Sequence, residues 1–489
     1  MSLHRTKKYS KSIQSSPIFP FIYRNYTIPY GVREIANEAF KKCKRLRSLY
    51  VPDSVVKIGS NAFLGCKLLK HIKLPSSIKV IQKGTFMNCS SLTRLLLPEG
   101  LLGLETDSFR NCTMLKEIEL PESLQCIRSA AFRDCQNLDY IKIPKSVRRI
   151  RSNVFRGCTS LKKIELPKGI TRIGGSCFKG CASLEEVSIP DSVYSRIGWY
   201  AFEDCISLKT VVMNCGVRII EDGAFHNCQK LETITMPSSL ERIGDAAFRN
   251  CMSLSHVVLP DKILFVEMST FEGCSALASI HFPDSLLLIG DNAFKDCKSI
   301  TEIRCPNSLR VIESNSFEDC LNLQQVIFNE GLLSIGRNAF KGCKSITIIE
   351  LPPCIQHIEG GCFNTCSNLR QIIIPDGVKC INSKAFANCE NLTEIIIPNS
   401  VVEIRASAFA NCKRLQKVIL SDSLIYVDFK AFYACQEISE IIIPKSVKRI
   451  DREAFKKCTN LKKVFVSSST WIEETAFEKC HKDIEFVFI

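Results

Sequence analysis

The sequence predicts an α/β solenoid, one elongated stack of similar coils, on three observations. From Phe40 to Phe455 a Phe recurs every 23 residues with one 24-residue exception, and a Cys follows each Phe three positions later. Twenty such pairs run from Phe40/Cys43 to Phe477/Cys480. Between them, two apolar residues spaced by two are closed by a proline, as in Ile395, Ile397 and Pro398. A period of this size means that each repeat buries its apolar face only by stacking on its neighbours. Counting domains at about 150 residues each therefore does not apply. Residues 23–489 are expected to form a single solenoid of about 20 repeats, behind a basic, disordered tail at residues 1–22.

With the Phe as position 0, the coil that starts at Phe386 has Cys389 at 3, Leu392 at 6, Ile395 at 9, Ile397 at 11, Pro398 at 12, Val401 at 15 and Ile404 at 18. Positions 9 and 11 point one way and position 10 the other, so each coil contributes one strand to a parallel sheet. Proline at 12 cannot donate to a ladder and ends the strand. A turn and a second short apolar pair follow. Three residues before the Phe stand Asn37, Ser60, Thr106, Ser129, Ser152, Asp222, Asp245, Asp291, Ser314 and Ser383. As N-caps they predict a single helical turn with Phe and Cys, at i and i+3, on its inner face. The irregularities are one inserted residue at 194–196, Asn214, Asn329, Ser421 and Ser467 in place of Pro, and a 22-residue step from Phe455 to Phe477. They are read as bulges the stack tolerates.

The chain is 45% apolar, yet no run approaches the ~18 consecutive apolar residues of a membrane-spanning helix. Of 27 Cys, twenty fill the ladder position. The others, Cys126, Cys177, Cys215, Cys305, Cys354, Cys362 and Cys380, lack metal-ligand spacing. Thiols stacked in parallel fit poorly the torsion of about 90° that a disulfide needs. Free, buried thiols in a reducing, cytoplasmic setting are expected. The net charge of +15 is spread over all repeats and interleaved with acids, except in residues 1–33, where Arg5, Lys7, Lys8, Lys11, Arg24 and Arg33 stand without one. That segment reads as a disordered tail, with an anionic-surface tether or a presequence as alternatives. It carries no recognisable signal peptide.

The repeated pattern LxxIxLPxSVxxIGxxAFxxC, present in twenty copies over nearly the whole chain, resembles the BspA-type, or treponemal-type, leucine-rich repeat. The resemblance implies a curved, right-handed leucine-rich-repeat solenoid with a parallel sheet on its concave face and short helical turns and strands on the convex side. It also implies, as an alternative to a cytoplasmic role, a cell-surface adhesin that contacts host matrix proteins or other cells, secreted by a non-classical route.

The outward strand positions 7, 8 and 10 form the sheet surface on which a partner would sit. Position 10 is mostly polar early in the chain, as in Lys73, Glu119, Lys142 and Glu165. It then becomes Ile327, Glu350, Ile373, Ile396, Ile419, Ile442 and Phe465, with Phe488 to follow if the last strand keeps register. At about 4.8 Å per strand this is a stripe on the order of 34 Å long. An apolar surface of that size marks a protein-binding site, and the competing reading is that β-branched residues simply suit a sheet. Arg370, Gln371, Glu394, Lys417 and Glu440 would form its polar rim.

Chemistry finds no such footing. His71, His256 and His281 face outward, but no Cys or carboxylate completes a metal-ligand set around them. No phosphate-binding loop, dinucleotide fingerprint or nucleophile motif is present. No cofactor is expected. Without a coherent basic stripe or interleaved aromatics, neither is nucleic acid. The expected function is a non-enzymatic scaffold that binds proteins.

Overall fold

The computed structural model describes residues 12–13 and 24–489. They fall into two compact units, Met1–Leu240 and Glu241–Ile489, each built from the same coil. The expected tail at 1–22 lies outside the described residues, except for Ser12–Ile13, whose backbone pairs in parallel with Glu34–Ile35.

Each coil carries two strands. The first has three or four residues, for example Glu394–Ile396, and exposes its outer positions while burying position 9. Ile395 and Ile397 are both buried, as position parity requires. The second strand has two residues, as in Glu403–Ile404, and buries the second of them. All pairings are parallel and in register with the repeat, Glu394 with Lys417 and Ile396 with Ile419, or Glu403 with Tyr426 and Ile404 with Val427. Pro closes the first strand. The Ser that follows donates its hydroxyl to a carbonyl of the preceding coil, as Ser77 does to Val55 at 2.6 Å and Ser308 to Leu286 at 2.6 Å. At two of the positions where Pro is missing, the side chain there bonds to the preceding coil. Asn329 Nδ2 donates to Pro306 and Leu309 carbonyls at 2.7 and 3.1 Å, and Ser421 Oγ to Val401 at 2.6 Å.

The expected helical turn is not there, and the described residues contain no helix. The reason is backbone handedness. From Phe40 to Phe455, the positions two residues before and two after each ladder Phe hold positive φ, as at Asn61 (56°) and Gly65 (73°), or Asn315 (55°) and Asp319 (60°). A right-handed helix needs φ near −60°, so two left-handed residues within five break it. What forms instead is a run of tight turns whose amides alternate. Ala62, Leu64 and Cys66 donate three residues back within their own coil, at 3.0–3.3 Å. Asn61, Phe63 and Gly65 donate to Lys83, Thr85 and Met87 of the next coil, at 2.8–2.9 Å. The residues read as N-caps also serve the next coil: Asn37, Asp245 and Asp291 accept from the amides of Ser60, Met268 and Ser314.

Asn, Asp and Gly recur at the left-handed positions because they tolerate that conformation. Their amides also form a ladder. Asn411 Nδ2 donates to Asn388 Oδ1 at 2.9 Å, and Asn388 Nδ2 to Asn364 Oδ1 at 3.1 Å. Asn388→Val should therefore destabilise its unit by about 2–3 kcal/mol, through strain at φ 61° and the loss of both bonds. Asn388→Gly, which loses the same two bonds but accommodates the positive φ, should destabilise by less in urea unfolding.

The core is two ladders. In Met1–Leu240 the rings from Phe40 to Phe225 stack at centroid distances of 5.1–5.7 Å. In Glu241–Ile489 those from Phe248 to Phe477 do so at 5.1–5.7 Å. Beside them run the thiols. From Cys66 onward the ladder thiols donate to the carbonyl of the Phe one coil back, as Cys66 to Phe40 at 3.0 Å, Cys89 to Phe63 at 3.2 Å and Cys343 to Phe317 at 3.1 Å. That same carbonyl already accepts from the amide of its own coil's Cys, as Phe317 does from Cys320 at 3.3 Å. The thiol thus fills its second lone pair, and Cys at position 3 fills a hydrogen-bonding place as well as a small volume.

Candidate functional site

The face that carries the predicted stripe lies in the Glu241–Ile489 unit. It is formed by the strands Glu302–Arg304, Gln325–Ile327, Ile348–Glu350, Gln371–Ile373, Glu394–Ile396, Lys417–Ile419, Glu440–Ile442, Lys463–Val466 and Glu485–Phe488. Because position 9 of each strand is anchored in the core, position 10 must project from the sheet.

Four isoleucines of this column stand well clear of the core: Ile373 is 46% exposed, Ile396 54%, Ile419 43% and Ile442 57%. Phe465, opposite Ile442, is half-buried and continues the column. Ile327 does not join it, since Glu350 lies opposite Ile373 and interrupts the run. Instead Ile327 borders a shallow groove with Gln325, Ile348, Glu350, Pro352 and Pro353.

Phe488 is displaced from the expected register. Val487 pairs with Phe465, whereas Phe488 pairs with Val466. The 22-residue step after Phe455 advances the strand by one residue, and a shift of one reverses the face on which every side chain falls. The column therefore runs Ile373, Ile396, Ile419, Ile442, Phe465, Val487. Five strand steps make it about 24 Å long. The short step visible in the sequence is the signal that identifies Val487.

Alongside runs a second column, Gln371, Glu394, Lys417, Glu440, Lys463 and Glu485, in which charges alternate. Lys417 approaches Glu394 at 3.9 Å and Lys463 approaches Glu485 at 3.5 Å. These exposed pairs add little stability. They do give the apolar column a charged border that is balanced along its length, and with it a means of fixing the register of a bound chain.

Among the described residues no group of three or more His, Cys, Asp or Glu side chains could hold a metal. His256 lies opposite Ser279, its Nδ1 2.6 Å from the hydroxyl, and His281 lies opposite Val258, so the two histidines occupy different columns. No helix among the described residues is long and apolar enough to cross a membrane.

Residues 22–112, 97–196, 195–320, 288–414 and 379–489 match the family model described as "BspA type Leucine rich repeat region", which counts six copies. Among solved structures, a leucine-rich repeat protein from Bacteroides ovatus is 32% identical, with a TM-score of 0.64 over 70% of this chain and 90% of that one. A leucine-rich repeat protein from T. pallidum is 34% identical over 33% of this chain and 78% of its own, at a TM-score of 0.32. A leucine rich cell surface protein from Faecalibacterium prausnitzii is 24% identical over 72% of this chain and 87% of its own, at a TM-score of 0.39. No protein of curated function matches the chain.

Proposed function

Because this chain belongs to the BspA-type leucine-rich repeat family, we propose that it works by surface rather than by chemistry, as a scaffold that holds a protein partner against the open sheet of Glu241–Ile489. The observation that carries this reading is the exposed column from Ile373 to Ile442 on a sheet whose backbone is fixed by the core beneath it. A rigid surface binds without an ordering cost of its own, so burial of the four isoleucines and the half-buried Phe465 contributes directly to affinity. An extended segment with apolar side chains at alternate positions fits the column, and the Glu/Lys column beside it selects the register.

The thiol ladder supports a reducing setting. Its sulfurs act as donors to Phe carbonyls, a role that only the S–H form can play. Antibody labelling of intact and permeabilised cells separates this from an adhesin on the cell surface, for which signal on intact cells is expected.

The triple variant Ile373→Ser, Ile396→Ser, Ile419→Ser tests the surface. All three side chains project from the sheet, so the melting temperature should change by no more than a few degrees. Partner capture from a lysate should fall at least tenfold. Capture at wild-type strength with the fold intact would overturn the proposal.

A further inference from the structure

We infer that a second surface, on the two-residue-strand face of the Met1–Leu240 unit, binds single-stranded nucleic acid. The strands Arg149–Ile150 and Arg172–Ile173 pair with Arg149 opposite Arg172, and because both isoleucines point inward, both guanidinium groups point out. Arg148, Arg151, Lys145 and Lys168 stand around them on the same two coils.

Other coils show what a cation on this face ordinarily meets. Lys57 lies 2.8 Å from Glu34, Arg128 3.6 Å from Glu105 and Arg196 2.6 Å from Glu221. In the other unit Arg242 lies 3.6 Å from Glu267 and Arg449 2.9 Å from Glu473. Among the described residues none of these six cations, Arg149 and Arg172 included, has a carboxylate within ion-pair distance. Stacking like charges on adjacent strands is unfavourable by itself. The arrangement is the reverse of the pattern on the coils either side, and it fits an anionic ligand.

The patch is narrow. Glu105 and Glu122 lie on one side of it and Asp191 and Glu221 on the other, so a broad membrane surface would also press on carboxylates. A single chain laid along the two coils, over 145–151 and 168–173, meets only cations, in two rows about 4.8 Å apart. Beside the patch the surface changes character. A side chain on Gly175 would come within 3.9 Å of the Trp199 ring, and one on Gly174 within 2.6 Å of the Arg151 carbonyl carbon. Gly174 is buried against the backbone of the coil before it, while half-buried Gly175 adjoins Trp199, whose indole is 49% exposed, with Tyr194, 63% exposed, on the same coil. A cationic track ending on an open aromatic ring suits phosphates followed by a base that stacks. A peptide of acidic side chains alone has charge for the track and nothing for the ring. Sequence reading finds no basic stripe because the patch is assembled from residues 23 positions apart.

The test is fluorescence anisotropy of a labelled 20-nucleotide oligouridylate with the full chain, titrated against salt, with polyglutamate as competitor and phosphatidylserine vesicles in parallel. Affinity should fall with salt, and Arg149→Ala with Arg172→Ala should reduce the slope of log K against log salt by about 1.4. Trp199→Ala should weaken binding about tenfold or more at an unchanged slope. Polyglutamate should compete poorly, and vesicles should not bind. Absence of oligonucleotide binding, full displacement by polyglutamate with no effect of Trp199→Ala, or preference for vesicles would each overturn the inference. The salt slope and the competition are read on the unmodified protein, so they stand even if a variant folds poorly.

Discussion

Between pH 8 and pH 10.5, in the presence of a reductant, the protein is expected to unfold reversibly. Burial holds the ladder thiols in their neutral form. Cys274 and Cys366 are pushed from the ordinary value of 9.0 up to about 12, and Cys297, Cys320, Cys343 and Cys389 are raised further, chiefly by desolvation. A group whose pKa is raised in the folded state contributes stability that is fully present below its unfolded value, near 9. That stability is lost as pH rises toward the folded value, because only the unfolded chain can ionise. Each such thiol removes about 1.4 kcal/mol of stability per pH unit above pH 9, so six of them together remove roughly 8 kcal/mol per unit. Against a total stability of about 5–15 kcal/mol, this unfolds Glu241–Ile489 near pH 10. Circular dichroism against pH gives the midpoint. Replacing Cys343 and Cys366 together by Ala should lower the slope of unfolding free energy against pH by about 3 kcal/mol per unit. An unchanged slope would mean that the thiols do not control it.

Phe317→Ala is expected to be strongly destabilising in the same unit. The ring is fully buried and stacks on Phe294 and Phe340, each at 5.2 Å. Removing it opens a cavity between coils that are held at fixed spacing by backbone bonds, Phe317 to Ala339 and Phe294 to Ser316. The site cannot collapse, so the expected loss is about 3–5 kcal/mol. Phe477, part-exposed, stacked on Phe455 and met edge-on by the terminal-strand Phe486, should lose less on the same change. Urea unfolding of the two variants checks the order.

The ladder positions were legible because twenty copies repeat one burial pattern, and no local accident can imitate that. The first strand was legible from parity: Ile395 and Ile397 inward, Ile396 outward. The turn was misread because Asn, Asp, Ser and Gly favour both an N-cap and a left-handed residue. Asn61 at φ 56°, one residue after the supposed cap Ser60, is the discriminating feature, and residue type alone does not reveal φ. The stripe was legible in its centre and wrong at its ends, where Glu350 interrupts it and the short step before Phe477 moves Phe488 to the other face. The cations around Arg149 were invisible as a group because charge along the chain says nothing of charge across coils.

The bonds that join coils reach only to the adjacent coil: the Phe amides go one coil forward and the Cys thiols one coil back. A coding segment for 23 residues can therefore be duplicated or deleted within a unit, and every bond finds an equivalent partner again. The length of the isoleucine column is then a copy number, adjustable by unequal recombination in increments of about 4.8 Å. Gain or loss of a single codon between strands leaves the column in place, since Val487 still pairs with Phe465 across the 22-residue step and Val187 with Val211 across the 24-residue one. Selection on such a gene can match the reach of the scaffold to the length of its ligand without redesigning any coil.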